Sequence, residues 1–280
     1  MREKLLHTRA RSRSVRRVVP YTASAAIYDA LYGKWDYARE ARLLRRLISS
    51  HCHGSAATLL DVACGTGKHL ARLRRHLRVR GLDASPAMLR VARERLPGVP
   101  LHRGSYLDFD LGRTFDVVLC MGSAIGYSRD RRGLRTAMRM MARHLGPGGA
   151  AFVVPWVLRS DWIPGRNQTE TATRGAASIA RMSVSRGRGR LSAVEMHHLV
   201  GSRAGIDHFV ERHALGLFSV GEYLGAMRAA GLKAKWLPKG RDWFRGLLIG
   251  VRPLSASSSR PAARAGRPSR LARGRRAAGR

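Results

Sequence analysis

The chain has 280 residues, of which 53 are Lys or Arg and 18 are Asp or Glu, giving a formal net charge of +35. That length accommodates one sizeable α/β domain with added segments and excludes two large ones. Three scattered cysteines, Cys52, Cys64 and Cys120, exclude a disulfide framework and point to a reducing compartment.

No apolar run reaches the roughly 18 residues of a spanning helix, and the basic N-terminus lacks the apolar core of a secretory signal. A cytoplasmic location is therefore expected. The charge is spread along the chain: residues 1–19 carry +6, residues 254–280 carry +8, and +21 remains between them. Such a surface attracts nucleic acid, anionic lipid or phosphate-bearing substrates without specifying any. An Arg-rich composition on a plainly solvated surface accounts for it equally well.

Taken in order, residues 1–19 are Arg/Ser-rich without periodicity and are expected to be mobile. Folding is expected to start near Tyr21. The aromatic stretch Tyr28 to Tyr37 leads into a helix over Ala38 to Ser49, whose stripe is Leu43, Leu44, Leu47 and Ile48. Its aromatics either pack as ordinary core or form a lid over a ligand site.

Thr58-Leu-Leu-Asp-Val-Ala-Cys-Gly-Thr-Gly67 is next: an apolar strand, an acid near its end, and a turn of small residues before a helix. Gly65 and Gly67 remove Cβ atoms where a ligand would approach the backbone. A P-loop would require Ser or Thr after Gly67-Lys68, where His69 stands. A dinucleotide fingerprint would require a third small residue in place of Leu70. Twenty-two residues after Asp61, a second short strand ends in Asp83, the spacing of a ribose-binding acid in a βαβ unit. Ala84 is next, and Ser85-Pro86 can cap and start the next helix. Cys64 is read as packing, since no partner for a reactive thiol or a metal stands near it; no metal is expected.

A helix to about Leu96, a strand around Pro100 to His102 and a buried strand over Phe115 to Cys120 continue the alternation. The small-residue loop Met121 to Tyr127 falls at a carboxyl strand end, where open α/β sheets bind ligands. A helix to about His144 and a fifth strand over Ala150 to Val154 complete this half. From residue 157 to 218 the rhythm changes to antiparallel strands over Ser178–Val184, Leu191–Val200 and His208–Phe218. Ser219-Val-Gly-Glu222 reads as a capping box, and strands over Lys233–Leu237 and Phe244–Val251 close the fold. The expected architecture is a Rossmann-like, doubly wound, seven-stranded sheet over residues 20–253, with an antiparallel β insertion after the fifth strand. Residues 254–280 are expected to be a disordered tail.

The run Tyr28-Asp-Ala-Leu-Tyr-Gly-Lys-Trp-Asp-Tyr37, the motif Leu60 to Gly67, Met121 to Tyr127, Pro155-Trp156 and Arg245-Gly-Leu247 occur in that order. Together they resemble the class I S-adenosylmethionine methyltransferases, and among them the N,N-dimethyltransferases of nucleotide-linked amino-deoxysugars. The resemblance implies S-adenosylmethionine as cofactor, a small-molecule acceptor and a homodimer as an option. It implies that Tyr37 and Asp61 hold the methionine moiety, that Ala63, Gly65 and Gly67 lie against the cofactor, and that Asp83 and Ala84 take the ribose. Met121 flanks the cofactor, Tyr21, Tyr127 and Trp156 face the acceptor, and Arg245 meets the diphosphate, where its fork matches phosphate oxygens.

The family's acid after the third strand is replaced by Ser105, so Ser105 or the nearby Asp108 takes the adenine contact, or the contact is lost. Its acid before Pro-Trp is replaced by Val154. Tyr127, or one of His197, His198 and His213, could accept the amine proton or route it to water. Two other readings are a macromolecule methyltransferase using the basic surface, with the Arg-rich ends holding nucleic acid, and a non-catalytic basic binding module. The first lacks the Pro-Pro-aromatic loop of base-amino enzymes; intact Asp61, Gly65, Gly67 and Asp83 count against the second.

Overall fold

A computed structural model describes residues 15–187 and 189–254. In chain order the elements are β1 (Arg16–Val18), α1 (Tyr28–Leu31), α2 (Tyr37–His51), β2 (Thr58–Val62), α3 (Lys68–Leu73), β3 (Arg78–Asp83) and α4 (Pro86–Arg95). Next come β4 (Leu101–Arg103), β5 (Phe115–Cys120), α5 (Arg131–Arg143), β6 (Leu145–Val153), β7 (Asn167–Arg174), β8 (Ala177–Arg186), β9 (Leu191–Ser202) and β10 (Gly205–Gly216). The chain closes with α6 (Val220–Ala229), β11 (Lys233–Leu237) and β12 (Leu247–Val251).

Seven strands form the main sheet in the order β11-β12-β6-β5-β2-β3-β4. β2 pairs in parallel with both β3 and β5, and only β12 and β11 run against their neighbours. The order reverses between β2 and β5, which places the ligand crevice outside the carboxyl ends of those strands. Both faces are covered, so the central strands are apolar throughout: Leu59, Leu60, Val117, Val118 and Leu119 are fully buried. One core lies under α2, α3 and α4 around Leu44, Leu70 and Leu89; the other lies under α5 and α6 around Met138, Tyr223 and Met227. Each such Leu contributes about 1.5–3 kcal/mol through burial.

The helices start where local chemistry allows. Asp36 caps α2 by accepting the Arg39 N–H at 2.8 Å, and Asp130 caps α5 through the Gly133 N–H at 2.7 Å. Ser85 accepts the Met88 N–H with Pro86 as first helical residue, and Ser219 and Glu222 form the reciprocal capping box of α6. Loss of one such cap costs about 1 kcal/mol.

The four strands of the insertion and β1 form a second, five-stranded sheet in the order β1-β10-β9-β8-β7. Two of its strands differ from expectation. β7 has no alternating apolar pattern and is mostly exposed; it is held by its register with β8. β1 lies within the stretch expected to be mobile, and pairs in parallel with Phe209 to Glu211 of β10. The folded body therefore begins before Tyr21. Residues 1–14 and 255–280, where mobility and a disordered tail are expected, lie outside the described residues.

Candidate active site

Two cavities open at the carboxyl edge of the main sheet. The first, ≈ 500 Å³, is floored by the turn after β2. The turn is built from Ala63, Gly65 and Gly67, all at positive φ (58°, 57° and 76°). A Cβ on Gly65 would meet nothing within 4 Å, so that position opens on the cavity and only its φ demands glycine. Gly67 differs: a Cβ there would lie 2.5 Å from Leu96 Cδ1. It lets α3 start against α4 and is not among the residues that line the cavity.

Asp83, the last residue of β3, holds this turn. Its Oδ2 accepts the Gly65 N–H at 2.8 Å and its Oδ1 accepts the Ser85 N–H at 2.8 Å. Burial pushes the Asp83 carboxyl up, partly offset by those backbone hydrogen bonds. Asp83, Ala84, Ser105 and Met121 line the cavity. Asp108 does not; it is exposed and its N–H is bonded to the Ser105 carbonyl at 3.0 Å. Of the two candidates for the position after β4, the cavity is therefore lined by Ser105.

Asp61 lies one residue inside the end of β2, paired between Gly81 and Leu119. Only 1% exposed, it sits beneath the turn and does not line the cavity. Neither of its oxygens has a hydrogen-bond partner among the described residues. Burial, opposed by nearby His69 and reinforced by Asp83 and Glu40, pushes its carboxyl up to about 7. A buried carboxylate without a partner is costly, and a cation held above the turn would relieve that cost. The open turn, the acid closing β3 and this orphaned carboxylate are what a sulfonium-bearing amino acid nucleoside requires, so the residues fit S-adenosylmethionine.

The aromatic lead-in covers this cavity. Asp29 of α1 accepts the Thr66 hydroxyl at 2.7 Å and pairs with Arg95 and, at 3.8 Å, with Lys68. That clip ties the lid to the turn. Tyr37 lies under the Lys68 ammonium, 4.9 Å from ring centre to nitrogen, and lines the cavity beside His69. His69 is bonded to Glu40 at 2.8 Å; burial pulls its imidazole down, but Glu40 outweighs this and the net shift is upward.

The second cavity, ≈ 480 Å³, lies between the main sheet and the insertion. Tyr21, Tyr28, Tyr37, Gly122 and Tyr127 line both cavities, so the two meet there. At the far end Arg245 is held between Trp156, at 4.6 Å, and Phe244, at 4.9 Å. No carboxylate among the described residues lies within ion-pair reach of Arg245, and burial pulls its guanidinium down. Such a stacked cation with a free fork is suited to a dianion. Val154 lines the same cavity.

Of the three candidate histidines, only His213 reaches the cavities. His198 is buried behind it, stacked on Phe209, and His197 faces the opposite side of the insertion, bonded to His208. Sequence reading did not single out Glu211, Arg181 or Asp29. Glu211 and His213 are two apart on a strand, the spacing of one face, which was the only signal available for that pair. Among the described residues no group of His, Cys, Asp or Glu is placed to hold a metal, and no helix is long and apolar enough to cross a membrane.

A doubly wound sheet with a Gly-rich first turn and an acid closing the second strand of its sheet's first βαβ unit builds a nucleoside-cofactor site, and with the orphaned Asp61 beneath the turn it fits the class of S-adenosylmethionine-dependent methyltransferases. Residues 59–149 match the family described as Methyltransferase domain. The dTDP-4-amino-2,3,4,6-tetradeoxy-D-glucose N,N-dimethyltransferase of Saccharopolyspora spinosa is 41% identical over 231 residues, covering 81% of this chain and 92% of that one. The crystal structure of Streptomyces venezuelae DesVI superposes with a TM-score of 0.76 at 37% identity, covering 84% of this chain and 99% of that one. CalS10 of Micromonospora echinaspora, an amino pentose methyltransferase solved with S-adenosylmethionine bound, superposes with a TM-score of 0.73 at 35% identity, covering 85% and 99%. This chain belongs to the family of S-adenosylmethionine-dependent amino-deoxysugar N,N-dimethyltransferases.

Proposed function

We propose that this enzyme methylates the amine of a nucleotide-linked amino-deoxysugar. The observation that carries the reading is the meeting of the two cavities at Tyr21 and Tyr127, with Arg245 stacked and unpaired at the far end of the second. In this reading the first cavity takes S-adenosylmethionine: Ala63 and Gly65 lie beneath its methionine moiety, Asp83 and Ala84 take the ribose, and Ser105 and Met121 flank the base. Tyr37 closes over the methionine end, and Asp61 acts from below as a buried counter-charge. The second cavity takes the acceptor, with the sugar against Tyr21, Tyr127 and Trp156 and the phosphates on Arg245. Relatives named for dTDP-linked amino-deoxysugars support that acceptor class.

When bound, S-adenosylmethionine supplies a methyl group already activated on a sulfonium. The protein's part is then to hold the amine in line and to exclude water, which accounts for most of the catalysis such a displacement needs. The tyrosine-lined junction under α1 serves both purposes. Macromolecule methylation is not favoured: the acceptor cavity is roofed by the insertion sheet. The Arg-rich ends, 1–19 and 254–280, are assigned a separate, sequence-independent attraction for nucleic acid.

The reading is tested by incubating the protein with S-adenosylmethionine and a panel of nucleotide-linked aminosugars, free amines and RNA, and monitoring mass. Addition of two methyl groups to an aminosugar nucleotide is expected. Methylation of RNA or of free amines alone would overturn it.

A further inference from the structure

A buried chain of polar groups runs behind the junction of the two cavities. The Tyr127 hydroxyl is hydrogen-bonded to His213 Nδ1 and lies 2.8 Å from the Tyr21 hydroxyl. The other ring nitrogen, Nε2, lies 3.4 Å from Glu211 Oε2, and Glu211 Oε1 accepts the Tyr21 N–H at 3.1 Å. Alternation along β10 puts Glu211 and His213 on the inward face, where they are 1% and 2% exposed. One carboxylate thus holds the Tyr21 backbone by a hydrogen bond and lies within ion-pair distance of the ring that holds Tyr127, whose Nε2 has no hydrogen-bond partner among the described residues.

We propose that Glu211 and His213 are a positioning and proton-accepting pair that acts on the acceptor amine through Tyr127. This rests on the aminosugar reading above. In each transfer the amine lone pair forms a C–N bond as the methyl–sulfur bond breaks, its electron pair staying on sulfur. The nitrogen must then lose one proton. That proton passes to the Tyr127 oxygen while the Tyr127 proton moves to His213 Nδ1, giving an imidazolium beside the Glu211 carboxylate. The imidazolium returns its proton to solvent through the second cavity, which His213 lines, before the next methyl is transferred.

The surroundings agree. Burial pushes the Tyr127 phenol well up, so it hands a proton along without standing as tyrosinate. Burial also raises Glu211, but His213, Ser24 and His198 together outweigh this and the net shift is downward, leaving a carboxylate to balance the imidazolium. The other groups facing the chain are His198 of β9, 3.9 Å from Glu211 Oε2, Arg181 of β8, which acts on His198, and Tyr28 of α1 and Tyr32 just after it, which act on Tyr127. Arg181 is itself occupied by Glu170 and the Tyr32 hydroxyl, at 3.2 and 3.0 Å.

The test is the pH dependence of kcat in His213→Asn, Glu211→Gln and Tyr127→Phe, each first shown by calorimetry to bind cofactor as the unsubstituted enzyme does. His213→Asn is expected to lower kcat near neutral pH by about 10- to 100-fold, with KM for the sugar nucleotide within about twofold. The deficit should shrink about tenfold per pH unit on the alkaline side, as hydroxide takes the proton of the methylated nitrogen without help. Glu211→Gln should give a smaller deficit with the same slope. Should His213→Asn not fold, the other two variants carry the same readout, and the His213 ring-nitrogen resonances of the intact protein should move in Tyr127→Phe. A loss of kcat equal at every pH, no loss at all, or unmoved resonances would overturn the pair alone. An intact enzyme inert toward every aminosugar nucleotide would instead sink the acceptor reading, and the pair with it.

Discussion

The Asp83 carboxylate accepts the Gly65 N–H at 2.8 Å, so the acid that closes β3 also sets the shape of the turn after β2. The same side chain has a second oxygen on Ser85, and the group expected to bind ribose is therefore already oriented before any ligand arrives. Asp83→Ala removes the brace together with the proposed cofactor contact. Cofactor affinity is expected to fall by about 100-fold, the scale of one or two hydrogen bonds to a charged group. Calorimetry measures it; a Kd close to that of the unsubstituted protein would show that the carboxylate is dispensable.

Asp61 gives a pH-dependent prediction. Its carboxyl, ordinarily near 3.8, titrates at about 7 in the folded chain. A group raised on folding binds its proton more tightly in the native state, so its contribution to stability is present at low pH and is lost as pH rises toward the folded value. Asp61→Asn abolishes the titration. The unliganded variant is expected to be more stable at pH 8 by up to about 4 kcal/mol, with a smaller gain at pH 5. Thermal melts at both values check this, and an equal shift at the two would refute it. If the carboxylate supplies the proposed counter-charge beneath the turn, the same variant should bind S-adenosylmethionine more weakly.

For Arg245 the conservative variant is the informative one. Arg245→Lys keeps the charge and loses the planar fork and its stacking between Trp156 and Phe244. KM for a nucleotide sugar is expected to rise about 10- to 100-fold, with cofactor affinity unchanged. Steady-state kinetics and calorimetry separate the two; an unchanged KM would remove Arg245 from the acceptor site.

Deleting residues 255–280 removes eight arginines and no acid. Binding of RNA, measured by fluorescence anisotropy during a salt titration, is expected to weaken and to lose part of its salt dependence, while methyl transfer to the sugar nucleotide is retained. Equal RNA binding before and after trimming would place the attraction in the folded body.

Features fixed by neighbouring residues were legible in the sequence, and features fixed by distant partners were not. β2, β3 and β11 are bounded by local patterns of apolar residues and turns, and they lie where those patterns place them. β7 and β1 carry no apolar alternation; their order comes from partners far along the chain, which no window of sequence contains. Asp61 and Asp83 read alike, as acids near strand ends. One residue of difference in position separates a buried side chain flanked by two strands from one that emerges at the sheet edge. The side chain that Gly67 makes room for, Leu96, is 29 positions away, so that packing was not legible locally. Glu211 could be found only from its partners, since a Glu two positions from a His is unremarkable on any strand.

The pairing of β1 with β10 bears on how the enzyme becomes active. Tyr21 is made well before Glu211, and its N–H waits for that carboxylate 190 residues further on. Parallel pairing across such a distance forms slowly, and domains generally begin to fold while the chain is still emerging. The contact between Tyr21 and Glu211 at the junction of the two cavities can therefore form only after the last strand of the insertion has left the ribosome.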